Sequence, residues 1–320
     1  EQQRDLNIKS FDALTNALRN KYSYFELRDV DWEEHFARHR REIVSAENVS
    51  EWARRTARML AAAKDVHMWL ELDGETIPTY QRSVPANFDL DRVEMLVPNL
   101  RRLNMTVWTG ETKDGIAYLM IRTWAGAAAT DIAQARRYIK DHLNAPAMVI
   151  DVRPNSGGDE TLARSIASWF VGRKHIYAKH TYRRGPTVDD FTPVRERIIE
   201  PNEPDKRFRG PVAVLMGPRN MSSCEAFLLM MKQAERATLF GETSFGSSGN
   251  PAPTYLPNGV KVLIPSWRAL TPDGECFEGK GITPDIRVRF AGTDPETPDP
   301  VLEKALEHLR EEADLNRPDE

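Results

Sequence analysis

Cysteine is scarce: the 320 residues include two, Cys224 and Cys276. Two thiols make no disulfide framework and exclude a multi-cysteine zinc site, while a single bridge between them stays open. Long apolar runs are missing as well. None approaches the ~20 residues that cross a bilayer, so no membrane span is expected. Nor is one sign of charge in large excess, since 44 basic and 48 acidic side chains leave a formal net charge of −4. With no dominant basic block, there is no electrostatic footprint for nucleic acid or an anionic membrane surface. The most basic window, "RKHIYAKHTYRRG" (residues 173–185), reads as a solvated strand and turn. The chain also lacks G-x-x-x-x-G-K-S/T, G-x-G-x-x-G and G-x-S-x-G, which removes the main signals of a P-loop, a dinucleotide site and an α/β-hydrolase elbow. There is no internal repeat. The first residue is Glu1 rather than Met, which fits a leader removed either naturally or by design.

What remains is an ordinary globular composition, 40% hydrophobic and 29% charged, long enough for one or two domains. Residues 1–64 read as a helical subdomain. In "SFDALTNALRNKYSYF", Phe11, Leu14, Leu18 and Tyr22 fall at helical spacing, with Ser10 as the expected N-cap. Asp31 and Asn48 stand as caps of two further helices. From residue 65 the pattern changes. "HMWLELDGETIPTYQ" alternates as a hairpin about Asp73 and Gly74, "LDRVEMLVPNLRRL" reads as a helix broken near Pro98, and "MTVWTGETKDGIAYLMIRTW" gives two strands. Two continuous apolar strands, "AMVIDVR" and "PVAVLMG", each run into a turn and a helix, the signature of a buried, layered α/β (α+β) core over residues 65–296. Strands flank an Asn258-Gly259 turn, and a polar, Pro-rich stretch leads to a C-terminal helix and tail, residues 297–320.

Three places could carry chemistry. In "RNMSSCEAF" (residues 219–227), Ser222 and Ser223 sit where a strand turns into a helix. Such a serine is either an N-cap or a nucleophile whose oxyanion would meet backbone N–H groups at the positive end of the helix. Of seven histidines, His67 differs in standing at a helix-to-strand junction, where a side chain can be held rigidly or packed structurally. In "VIDVRPNSGGD" (residues 149–159), Gly157 and Gly158 allow positive φ and close backbone approach to a carbonyl oxygen or an anion.

Four segments in order resemble the serine peptidases of the tail-specific, C-terminal-processing and tricorn-type family over residues 60–289: "AAAKDVHMWL", "VIDVRPNSGG", "RNMSSCEAF", and "GETSFGSSG" with "FEGKGITPDIRV". The resemblance implies a mixed-sheet peptidase core of the ClpP/crotonase-like spiral type and a serine-type endopeptidase. It makes Ser222 the nucleophile, three residues before Glu225. It gives the oxyanion to Ser223 N–H and to Gly157 or Gly158. The tail-specific branch has a Lys after "FG"; here that place is Ser247, so a Ser-Lys dyad is not expected and His67 becomes the base, as in the tricorn-like branch. Glu278 matches the acidic member. Val66 replaces the family's usual Gly before the His and restricts the backbone. No PDZ-type domain is expected, because about 50 residues between His67 and Tyr118 are too few. The implied partners are peptide or unfolded protein substrates, with no metal or organic cofactor, no nucleic acid and no membrane span. A homo-oligomer stays open, and family habit points to an extracytoplasmic location. The alternative is a peptide-binding protein of the same fold without turnover.

Overall fold

The apolar periodicity at the start of the chain becomes three α-helices, Gln2–Lys21, Trp32–Val44 and Val49–Leu60. Phe11, Leu14, Leu18 and Tyr22 are all buried. Asp31 and Asn48 are caps, accepting from the N–H groups of Glu34 (3.0 Å) and Glu51 (2.9 Å). Ser10 is not a cap. The helix begins eight residues earlier, because "QQRDLNIK" contains no breaker. The buried Ser10 hydroxyl instead accepts the Asn258 N–H at 3.0 Å. These helices share a compact unit with a four-stranded antiparallel sheet in the order Pro251–Tyr255, Lys261–Pro265, Trp69–Leu72, Glu75–Pro78. The unit comprises Glu1–Ser83, His180–Arg195 and Ser247–Ala269. The computed structural model describes residues 1–291 and 294–314.

A second compact unit comprises Val84–Lys179, Glu196–Gly246 and Leu270–Glu320. Its seven-stranded sheet runs Ile286–Arg287, Ala237–Gly241, Val212–Met216, Met148–Asp151, Ala117–Ile121, Val107–Glu111, Arg101–Arg102. The first five strands are mutually parallel, Val107–Glu111 is antiparallel to them and Arg101–Arg102 antiparallel to it, so the fold is a mixed α/β layer structure. Every residue of the Met148–Asp151, Val212–Met216 and Ala117–Ile121 strands is buried. Val149, Ala213, Leu215 and Phe240 pack with Val301, Leu302, Leu306 and Leu309 of the helix Pro300–Asp314. Alternate residues Ile150, Val214 and Leu239 point the other way and are just as buried, which explains the unbroken apolar runs in the sequence. Helix Ser223–Met231 is wholly buried and, apart from Ser223 and Glu225, apolar on every side. Each of its large side chains contributes about 1.5–3 kcal/mol of burial.

One element differs from its pattern. "LDRVEMLVPNLRRL" is helical only over Leu90–Glu94 and ends in the short strand Arg101–Arg102. Pro98 bars continuation, and the Asn99 side chain accepts the Glu111 N–H at 2.6 Å, drawing the chain onto the sheet edge. A further sheet contains His175–Tyr182, Arg195–Ile199 and Trp267–Leu270. Gly292 and Thr293 of the Pro-rich stretch, and the tail at 315–320, lie outside the described residues.

Candidate active site

Within the second unit, Met148–Asp151 and Val212–Met216 are parallel neighbours, so the turns that follow them leave the sheet at the same edge. Buried Asn220 clips those turns together. Its Nδ2 donates to the carbonyls of Val152 (2.5 Å) and Asn155 (3.0 Å), its Oδ1 accepts the Gly217 N–H (2.7 Å), and its own carbonyl accepts the Phe245 N–H (2.8 Å).

Ser222 stands at the tip with φ 57° and ψ −128°. An ordinary N-cap has extended dihedrals with negative φ. A non-glycine residue in this region is strained by about 1–3 kcal/mol and persists only where its surroundings over-determine it. The surroundings are identifiable. Ser222 N–H donates to Glu225 Oε2 at 3.2 Å, and the Ser222 carbonyl accepts the N–H groups of Glu225 (2.9 Å) and Ala226 (3.2 Å). Ser223 Oγ donates to the Gly158 carbonyl at 2.5 Å.

The glycine turn lies directly against these serines. Gly157 has φ +104°, and a Cβ there would sit 2.9 Å from Ser222 Cβ and 3.2 Å from Ser223 N. Gly158 has φ +137°, and a Cβ there would strike the Trp124 backbone at 2.3 Å. No other residue type fits either position. The two glycines differ in their donors. Gly157 N–H is taken by Asn155 Oδ1 at 2.9 Å. Among the described residues, neither Gly158 N–H nor Ser223 N–H has an acceptor. Two orphan donors beside one partly exposed hydroxyl, at the positive end of a buried helix, form a receptor for negative charge.

Glu278 is buried, 7% exposed, rather than a surface turn residue. Its segment is pinned: Gly279 N–H donates to the Gly246 carbonyl (2.8 Å), and Ile282 N–H to Ser244 Oγ (2.7 Å). Glu225 ties this segment to the serine turn. Its Oε1 accepts from Ser244 Oγ at 2.5 Å and Gly246 N–H at 2.7 Å. One buried carboxylate thus fixes both the Ser222 backbone and the turn that holds the Glu278 loop.

Within the first unit, His67 lies between the 3-10 turn Ala61–Ala63 and the strand Trp69–Leu72, and is 9% exposed. The left-handed residue of this junction is Lys64, φ 48° and ψ 40°, so Val66 bears no positive φ and its branched side chain adds no backbone strain. Asp65 holds the junction. Its Oδ1 accepts the His67 N–H (2.9 Å), and its Oδ2 accepts from Tyr22 Oη (2.8 Å) and Arg28 (2.6 Å). His67 Nδ1 lies 2.8 Å from Ser247 Oγ. Burial holds the imidazole below its ordinary pKa of 6.5; nearby Asp65 opposes that shift and Arg28 adds to it.

Cys224 and Cys276 are unbridged thiols. Burial pushes the Cys224 thiol far up, so it stays protonated and unreactive. Asn220, Glu225 and Asp65 were not singled out as site residues from sequence. Each lies inside or beside a motif, but only coordinates show their side chains turned back onto backbone N–H and C=O groups.

Several known proteins are similar to this chain. The carboxy-terminal processing protease CtpB of Bacillus subtilis is 27% identical over 187 residues, covering 58% of this chain and 37% of the relative. A CtpA-like serine protease of Staphylococcus haemolyticus, itself named only as probable, is 26% identical over 177 residues, covering 55% and 34%. The chain thus spans little more than a third of the length of the curated relatives it matches. Among solved structures, a candidate peptidase of Parabacteroides merdae superposes with a TM-score of 0.79 at 25% identity, covering 94% of this chain and 96% of that one. Mature CPAF shares the fold, with a TM-score of 0.70 at 12% identity over 99% of both chains. The family model for peptidase family S41 matches residues 115–288, more than half of the sequence and all of the serine and glycine turns, and the chain belongs to that family.

Proposed function

We propose that the protein is a serine-type endopeptidase in which Ser222, His67 and Glu278 act together on peptide or unfolded-protein substrates. The observation that carries this reading is the strained Ser222 backbone beside the two unsatisfied donors, Ser223 N–H and Gly158 N–H. Ser222 also closes a capping box with Glu225, but a capping role does not require its positive φ.

In the proposed reaction, Ser222 Oγ attacks the scissile carbonyl carbon while its proton passes to His67 Nε2. The carbonyl π pair moves to oxygen, and the oxyanion is held by the N–H groups of Ser223 and Gly158. Gly157 contributes shape rather than a donor, because its N–H is engaged by Asn155. The pair returns, the C–N bond breaks, and His67 gives its proton to the leaving amine. Water then attacks the acyl ester while His67 accepts its proton; the tetrahedral adduct collapses, the bond between the acyl carbon and Ser222 Oγ breaks, His67 returns the proton to Oγ, and the acid product leaves. Glu278 balances the imidazolium charge formed in both halves. C-terminal processing belongs to the same reading, supported by the names of the relatives, and an extracytoplasmic location is proposed with it.

The test is cleavage of an unfolded protein by the full chain and by Ser222→Ala. The expected result is turnover by the former and none by the latter. Retained turnover in the variant would refute the assignment of Ser222. Peptide affinity in both with no turnover in either would identify the protein as a binder of the same fold.

A further inference from the structure

The carboxylate nearest to His67 in sequence, Asp65, directs its hydrogen bonds away from the ring. Its oxygens accept from the His67 backbone N–H, Tyr22 and Arg28. The ring's hydrogen-bond partner in the same unit is instead Ser247, whose Oγ lies 2.8 Å from Nδ1, with Ser247 only 3% exposed.

The segment from Ser247 to Gly249 is built around that contact. The Ser248 carbonyl accepts from Tyr24 Oη, which in turn accepts the Ala269 N–H at 3.2 Å. Gly249 packs on the histidine itself: a Cβ there would stand 3.2 Å from His67 Cβ and 2.7 Å from Pro265 Cβ. The Gly249 carbonyl is fixed by the Ser266 N–H at 2.9 Å. Ser247 is therefore held by its neighbours on the chain and has little freedom to leave the ring.

We propose that Ser247 is the positioning residue of His67, accepting the Nδ1–H bond and so leaving Nε2 deprotonated to act as the base. This rests on the reading of His67 as general base and deepens it. A histidine serves as a base through one nitrogen only if the other carries the proton, and its neutral tautomer is fixed by whatever accepts that proton. A hydroxyl does this without placing a second charge beside a buried ring. The replacement of Lys by Ser after "FG" is then a change of part rather than a loss: the position no longer supplies a base but holds one.

The tautomer of His67 is read directly by long-range nitrogen–proton NMR on the full chain labelled at histidine, in the Ser222→Ala background. The expected spectrum shows Nδ1 protonated and Nε2 not; the opposite tautomer would overturn the proposal without any variant at position 247. Ser247→Ala is expected to mix the two tautomers and Ser247→Thr to restore the first. Unchanged ring shifts in Ser247→Ala would equally overturn it. In the otherwise unmodified chain, Ser247→Ala should lower kcat by about 10²-fold with little change in KM. The NMR readout does not depend on turnover. A wild-type chain with the expected tautomer but no peptidase activity would count against the proposed function and leave the Ser247 assignment standing.

Discussion

At the scale of single residues, the glycine turn and the histidine make separable claims. Gly157→Ala puts a methyl group 2.9 Å from Ser222 Cβ at φ +104°. It should cost about 1–3 kcal/mol of stability, measured by urea unfolding. The displaced donors should reduce kcat by about 10²–10³-fold, close to the loss of one oxyanion donor. His67 gives a pH dependence. Its folded pKa is below 6.5, so the unfolded chain binds this proton first as the pH falls. The contribution to stability is full above 6.5 and is lost as pH drops through the lower folded value. The acid limb of kcat/KM should likewise have its midpoint below 6.5. A midpoint above 6.5, read from a pH–rate profile, would mean that His67 is not the titrating base.

At the scale of elements, the buried carboxylate of Glu225 joins a strand-to-helix turn to the loop that follows the next strand. Its oxygens accept from Ser222 N–H, Ser244 Oγ and Gly246 N–H. In Glu225→Gln, one oxygen becomes an NH₂ group that meets donors. About 1–3 kcal/mol of stability should go, and kcat should fall more than KM rises, because the Ser222 backbone is no longer over-determined. Differential scanning calorimetry and steady-state kinetics check both parts. The elements themselves were largely legible in the sequence. Unbroken apolar runs marked the Met148–Asp151 and Val212–Met216 strands, since both faces of that sheet are covered, and Asp31 and Asn48 marked helix starts. Ser10 misled, because a serine inside a helix and a serine before one have the same local sequence when the preceding residues also favour helix; the partner that decides, Asn258, is 248 positions away. The motif serines, histidine and glycines were readable as types in order. The engagement of Gly157 N–H, on which the proposal of Gly158 as donor rests, was not, since it turns on where the Asn155 side chain points.

At the scale of the molecule, a buried ion network fastens the glycine-turn strand to the C-terminal helix. Arg153, wholly buried, pairs with Asp151 (2.6 Å) and Asp299 (2.8 Å), while Tyr118 Oη donates to Asp151 (2.7 Å). Asp299 also accepts the N–H groups of Val301 and Leu302, starting the helix Pro300–Asp314. Arg153→Met strands two buried carboxylates and should destabilise the fold by about 3–5 kcal/mol, seen as a lower urea midpoint. The proposed reaction needs both a base, His67, and a nucleophile with its donors, Ser222 with Ser223 and Gly158. The decisive measurement is therefore the rate at which a serine-directed phosphonate labels the protein, with the adduct located by peptide mass spectrometry, in the wild-type chain and in His67→Ala. The expected result is an adduct on Ser222 that forms at least about 10²-fold more slowly without the imidazole. Labelling of Ser222 at the same rate in both chains, or an adduct on another residue, would contradict the assignment of His67 and Ser222 to one catalytic unit.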